Sequence, residues 1–238
     1  MKGRNHVFAQ WTEHLLDLLF PPRCAGCASS GSLLCSACQR AIEQLQTPRC
    51  SRCALPCHGS CCRRCAAPTP SFFALQAVAR YEEPLRTCIH QLKYQGLTRL
   101  AQPLGSMLAC TYRRYGLQAD LVIAVPLHAE REQQRGYNHA RLLADACAHE
   151  LGLPCAHAAL ARVRATAAQA GLSACERQQN VTGAFRCQSQ WTDPPLHGRR
   201  LLLIDDVCTT GATLQACATA LRQGGAGPIQ ALVLAIPG

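Results

Sequence analysis

Lysine is nearly missing from this 238-residue chain. It stands at positions 2 and 93 only, so the formal net charge of +10 is carried almost wholly by arginine, and Lys93 is the sole internal ammonium group. Biased codon usage accounts for that distribution as well as function does. No apolar run approaches the roughly 20 residues needed to cross a bilayer, which argues against a transmembrane helix. Nothing resembles a secretory leader: Leu15-Leu16-Asp17-Leu18-Leu19-Phe20 is short, carries an acid and ends at Pro21-Pro22. Residues 23–66 contain no Phe, Trp or Tyr, so that stretch lacks the aromatic platforms on which bases stack. It is also poor in large apolar side chains and cannot build a core of its own.

Cysteine is what the chain has in excess. Ten of its 18 cysteines precede residue 66. They fall largely in the pairs Cys24-x-x-Cys27, Cys35-x-x-Cys38, Cys50-x-x-Cys53 and Cys62-x-x-Cys65. Clustering of this kind points to metal in a reducing cytosol rather than to disulfides. Each CxxC presents two thiolates to one ion, and four pairs supply two closed, structural Zn²⁺ sites whose metal stands in for a core. Cys57 and Cys61 are surplus, and Cys62 is preferred to Cys61 because it alone has the two-residue spacing to Cys65. First knuckle with second and third with fourth is the simpler pairing; a cross-braced arrangement stays open. Two zinc ions on eight thiolates would add roughly −4 and leave about +6, a basic surface compatible with a polyanionic partner.

Around this cluster the chain divides. Residues 1–22 carry Val7, Phe8, Trp11, Leu15, Leu18 and Leu19 at helical spacings, an amphipathic helix expected to dock on the protein's own body, with a membrane surface as the other option. Residues 23–66 are the zinc module, 66–71 a proline-bearing linker, and 71–238 an α/β domain. Strands are expected over Phe72–Tyr81, Asp120–Pro126, Leu160–Arg164, Ala184–Cys187, Leu201–Ile204 and Ile229–Ile236. Helices are expected over Glu83–Tyr94, Thr98–Tyr115, Ala140–Leu151 and Leu214–Arg222. Four or five parallel strands with helices between them make a doubly wound sheet.

Chemistry concentrates at two places on that sheet. The run Leu201-Leu202-Leu203-Ile204 followed by Asp205-Asp206-Val207-Cys208-Thr209-Thr210-Gly211-Ala212-Thr213 puts two acids at a buried strand's carboxyl end, then a small hydroxyl-rich turn entering a helix. Backbone N–H groups and the helix dipole there suit a phosphate, and paired carboxylates suit vicinal hydroxyls; together they fit a ribose 5-phosphate. A Mg²⁺ site on the acid pair is the rival, but it wants further acids, and Asp120 is the only obvious one. A second segment, Leu127–His139, is read as a loop carrying Arg131 and Arg135, whose planar forks suit phosphate oxygens.

These residues carry a resemblance. The Asp205–Thr213 run resembles the phosphoribosyl-diphosphate (PRPP) signature of type I phosphoribosyltransferases. With the cysteine pairs, Lys93-Tyr94-x-Gly96, Arg135-Gly136-Tyr137-Asn138, and Thr166, Gln169, Leu172, Arg177 and Asn180, the chain resembles the ComF family, proteins linked to competence and DNA uptake. That family usually has Gln where this chain has His139. The resemblance implies a double zinc ribbon ahead of a type I phosphoribosyltransferase-like domain, with residues 165–173 as its mobile hood loop. It implies PRPP binding by Lys93, Asp205, Asp206, Thr209, Thr210, Gly211, Ala212 and Thr213, with Mg²⁺ accompanying PRPP. In a glycosyl transfer, Asp205, Asp206, Arg131 and Arg135 would be the catalytic set; the acceptor is unmarked. A non-catalytic PRPP-sensing or single-stranded-DNA-binding adaptor on the same fold is the alternative. PRPP, single-stranded DNA and competence-machinery proteins are the implied partners, in the cytoplasm.

Overall fold

The computed structural model describes residues 21–42, 45, 48–50, 52–59, 61–63, 65, 73–165, 174–188 and 196–237. The expected N-terminal helix, the linker, Arg64 and the hood residues Thr166, Gln169 and Leu172 lie outside them. The strands are β1 (Phe73–Arg80), β2 (Leu121–Ala124), β3 (Leu160–Arg162), β4 (Phe185–Cys187), β5 (Leu201–Val207) and β6 (Ile229–Ile236). The helices are α1 (Ser36–Ala41), α2 (Leu85–Tyr94), α3 (Ala101–Arg114), α4 (Ala129–Arg135), α5 (His139–Leu151), α6 (Ala174–Val181) and α7 (Ala212–Gln223).

Four strands form one sheet in the order β1-β6-β5-β2, with every pairing parallel. Their sequences explain why. Leu201 to Ile204 and Ala231 to Ala235 have no exposed surface, the continuous apolar character of strands covered on both faces. α3 lies against β1 and β6, and α5 lies beside it against β2 and β5. A Cβ on Gly105 of α3 would come within 2.5 Å of the Ala146 Cβ on α5, so glycine is what lets these helices approach. α2 buries Leu85, Cys88, Ile89 and Leu92, the i, i+3, i+4, i+7 stripe of an amphipathic helix.

Three elements differ from expectation. β3 and β4 do not join the parallel sheet but pair antiparallel with each other; three-residue strands carrying Arg162 and Arg186 are too short and too polar to be buried on both faces. Residues 129–135 are a helix rather than a loop. Ala-Glu-Arg-Glu-Gln-Gln-Arg contains only strong helix formers. Its acids sit in the first turn, its last arginine in the last turn, and Gly136 ends it with φ 81°, where glycine is favoured.

The cysteine-rich module shares the core of the sheet domain. Leu34, Ile42, Leu45 and Ala54 are buried within it. The Leu45 N–H donates to Val78 O at 3.2 Å, Gln91 Nε2 to Ala25 O at 3.2 Å, and Arg49 Nη1 to Ala77 O at 3.0 Å. Arg49 also stacks 4.0 Å above the Tyr115 ring. It is therefore a docking residue and not part of an exposed basic surface, as its place in an arginine-rich stretch suggests.

Candidate functional site

Eight cysteines gather into two sets, Cys24, Cys27, Cys35, Cys38 and Cys50, Cys53, Cys62, Cys65, with the sulfurs of each set within 4.8 Å of one another. The pairing is sequential, and Cys62 rather than Cys61 completes the second set. Sulfur separations of 3.6 Å for Cys27–Cys35 and 3.7 Å for Cys53–Cys62 fit the edge of roughly 3.8 Å that a tetrahedron with Zn–S bonds of about 2.3 Å requires. Four thiolate donors leave no open coordination position, as in structural zinc. Backbone donors prepare the thiolates: the Cys38 N–H points at Cys35 Sγ at 3.4 Å and is the largest cause that lowers the Cys35 pKa to about 6.

The two ribbons repeat one design. Arg23 bridges Ser30 and Arg49 bridges Pro56. Cys24 N donates to Ser29 O at 2.7 Å, and Cys50 N to Leu55 O at 2.9 Å. Ala28 and Ala54, each following a knuckle's second cysteine, have φ of 60° and 59°. Gly31 N donates to Pro22 O as Cys57 N donates to Pro48 O, so Cys57 occupies a turn position equivalent to Gly31. That explains why it is surplus to the metal set.

The second site lies at the carboxyl edge of the sheet, where open α/β sheets bind ligands. β5 continues through both acids and pairs with β6 as far as Val207. Alternation along a strand turns neighbouring side chains to opposite faces, though oxygens of Asp205 and Asp206 remain within 4.8 Å of each other and of a His139 nitrogen. Asp206, 4% exposed, ion-pairs through Oδ2 with Lys93 Nζ and has Oδ1 3.6 Å from His139 Nε2. Burial alone would raise its pKa; the charge of Lys93 outweighs that and holds it far below the carboxylate range. Burial likewise works against the Lys93 charge, but Asp206 and then Asp205 raise its pKa overall. Asp205 is pushed well up, first by burial and second by the charge of Asp206, and it accepts the Asp206 N–H at 2.9 Å.

The segment around Arg135 is ordered by its neighbours. Gly136 turns the chain from α4 to α5, and Asn138 caps α5 by accepting the Ala140 and Arg141 N–H groups while donating to Val125 O at 3.1 Å. The Tyr137 hydroxyl donates to Leu92 O at 2.6 Å. Arg135 Nη1 lies 2.6 Å from His139 Nδ1, and its guanidinium sits 5.1 Å above the Tyr94 ring. After β5, Gly211 (φ 80°) is the N-cap of α7 and brings no side chain of its own; Thr210 Oγ1 accepts the Ala212 N–H at 3.4 Å.

Sequence reasoning missed Arg162. It lies on β3 above the Phe185 ring at 5.4 Å. Its pKa is lowered by burial first and by the charge of Arg131 second, while Asp205 pulls the other way. Arg162 therefore lies within electrostatic reach of both Arg131 and Asp205. The available signal was the strand alternation that puts Arg162 on the same face as buried Leu160.

A free-standing cation site fits poorly here. His139, Asp205 and Asp206 could reach one ion, but Lys93 already balances Asp206, and hard cations want six or more oxygens. Asp145, Cys155 and His157 also cluster, yet His157 Nδ1 accepts the Ala124 N–H at 3.2 Å. Its proton is then on Nε2, donated to Asp145 at 2.8 Å, which leaves no imidazole lone pair for a metal.

Comparison with known proteins covers most of the chain. A double zinc ribbon domain family matches residues 15–88. Over 204 residues the chain is 37% identical to the DNA utilization protein YhgH of Salmonella typhimurium, covering 83% of this chain and 87% of the relative. Over 209 residues it is 34% identical to Competence protein F of Haemophilus influenzae, covering 85% and 90%. Among solved structures, the glutamine phosphoribosylpyrophosphate amidotransferase of B. subtilis aligns with 56% of this chain at 23% identity and a TM-score of 0.38, and the match spans 25% of that structure's chain. With more than a third of positions shared across nearly the full length of the YhgH relative, the chain belongs to the ComF family, that of Competence protein F and the DNA utilization protein YhgH.

Proposed function

We propose that this is a phosphoribosyltransferase-like protein that binds PRPP at the carboxyl edge of its sheet and serves DNA uptake or DNA utilisation. The observation that carries the reading is the N-terminus of α7, entered through Gly211 directly after a buried acid pair balanced by Lys93. Backbone N–H groups and hydroxyls of Thr209, Thr210, Gly211, Ala212 and Thr213 receive the 5-phosphate. Asp205 and Asp206 accept hydrogen bonds from the ribose hydroxyls. Arg131, Arg135 and Lys93 face the diphosphate.

In transfer, the C1–O bond to diphosphate breaks, the electron pair leaves with diphosphate, and positive charge grows on the ribose. Arg131 and Arg135 offset the leaving charge, and the buried carboxylates offset the ribose charge in a site of low dielectric. Mg²⁺ arriving with PRPP supplies further neutralisation of the diphosphate, with Asp205 the carboxylate available to it. An acceptor nucleophile then takes C1.

Exposed Arg23, Arg40 and Arg63 on the ribbon module favour a second role, contact with the phosphates of single-stranded DNA, which requires no turnover.

Thermal-shift measurements with Mg²⁺ and a panel of PRPP, ribose 5-phosphate, diphosphate and ATP test the ligand. PRPP should stabilise most, ribose 5-phosphate less, and Gly211→Val should shrink both shifts because valine is strained at φ 80°. Equal shifts from ATP and PRPP would contradict the assignment.

A further inference from the structure

Arg135 reaches the site by way of His139. A guanidinium only donates hydrogen bonds, so His139 Nδ1, 2.6 Å from Arg135 Nη1, is the acceptor. The imidazole is then the neutral tautomer with its proton on Nε2, and that N–H faces Asp206 Oδ1 at 3.6 Å, a short closure from a formed hydrogen bond. His139 is 5% exposed, so water does not compete for Nδ1. The other oxygen of Asp206 is held by Lys93. A row therefore runs from α4 through α5 and β5 to α2: Arg135, His139, Asp206, Lys93. The Tyr94 ring beneath the guanidinium fixes the plane of Arg135; His139 fixes its direction.

We propose that His139 is a positioning residue for the diphosphate of PRPP, aiming the Arg135 fork into the site and tying its orientation to the ribose-binding Asp206. The inference rests on the PRPP reading above. Its chemistry requires an acceptor and a donor on one side chain, about an imidazole's width apart. Glutamine meets that requirement. Methionine fits the space and meets neither half of it.

Calorimetry on the full, zinc-loaded chain with PRPP and, separately, ribose 5-phosphate tests this, because the Arg135 fork that His139 aims acts on the diphosphate, which ribose 5-phosphate lacks. In His139→Met, PRPP affinity should fall about tenfold or more, tenfold being the low end for one hydrogen bond to a charged group, while ribose 5-phosphate affinity holds. His139→Gln should restore PRPP affinity, and in an Arg135→Ala background His139→Met should cost nothing further. An equal loss for both ligands, or no loss for either, overturns the proposal. So does failure of the glutamine variant to bind PRPP like wild type, a comparison that survives even if the methionine variant folds poorly. Wild type binding neither ligand would instead overturn the PRPP reading itself.

Discussion

At Asp206, burial and charge pull in opposite directions, and Lys93 decides between them. Because the Asp206 pKa is depressed on folding, its ion pair stabilises the protein above the unfolded carboxylate value near 3.9 and loses that contribution as pH falls below it. Lys93→Met should thus cost roughly 3–5 kcal/mol at pH 7, the usual result of leaving a buried charge unpaired; urea unfolding measures it. Asp205 has the opposite sign. Its pKa is raised in the fold, so stability is lost as pH rises from about 4 through the raised value. Asp205→Asn should raise the melting temperature, and by at least as much at pH 8 as at pH 6, while weakening PRPP binding; a gain that shrinks between those pH values would contradict the assignment. From sequence, Lys93 stood out as the only internal lysine, but its partner did not, because the contact joins α2 to β5 across more than a hundred residues. His139 showed only as a departure from a family pattern, and its link to Arg135 depends on α4 being helical.

Among the elements, the ribbons were the most legible, because CxxC spacing is itself a geometric constraint on one metal ion. Their sequential pairing became visible only with the sulfurs in place, and so did the equivalence of Cys57 to Gly31. Elemental analysis should find about two zinc ions per chain. Cys62→Ser should lose one of them, and Cys61→Ser should keep both; the reverse would assign the fourth knuckle to Cys61. The parallel strands were equally plain, since unbroken apolar runs such as Leu201–Ile204 have few other uses. The composition of α4 favours helix at every position, but its two arginines and the following glycine suit a phosphate-binding loop equally well. The strands β3 and β4 were legible but their antiparallel pairing was not, because three-residue strands carry too little periodicity to reveal their partner.

Across the whole molecule, the ribbon module and the sheet share one core, and Arg49 illustrates the consequence. Counting arginines in residues 23–66 suggests a single basic surface, but Arg49 is committed to Ala77 O and Tyr115, and Arg52 donates to Cys65 O. The exposed remainder predicts weak, sequence-independent binding of single-stranded DNA. Fluorescence anisotropy should show log affinity falling with log salt at about −0.7 per phosphate neutralised, and charge reversal at Arg40 and Arg63 should flatten that slope without changing PRPP binding. No binding at micromolar protein and low salt would leave the ribbons a structural module. Among the described residues no helix is long and apolar enough to cross a membrane. The central claim is that the Asp205–Thr213 run holds PRPP, and titration calorimetry with PRPP and Mg²⁺ tests it most directly. Wild type should bind saturably with about one site per chain and Asp205→Asn/Asp206→Asn should not; equal affinity in the two proteins would contradict the account.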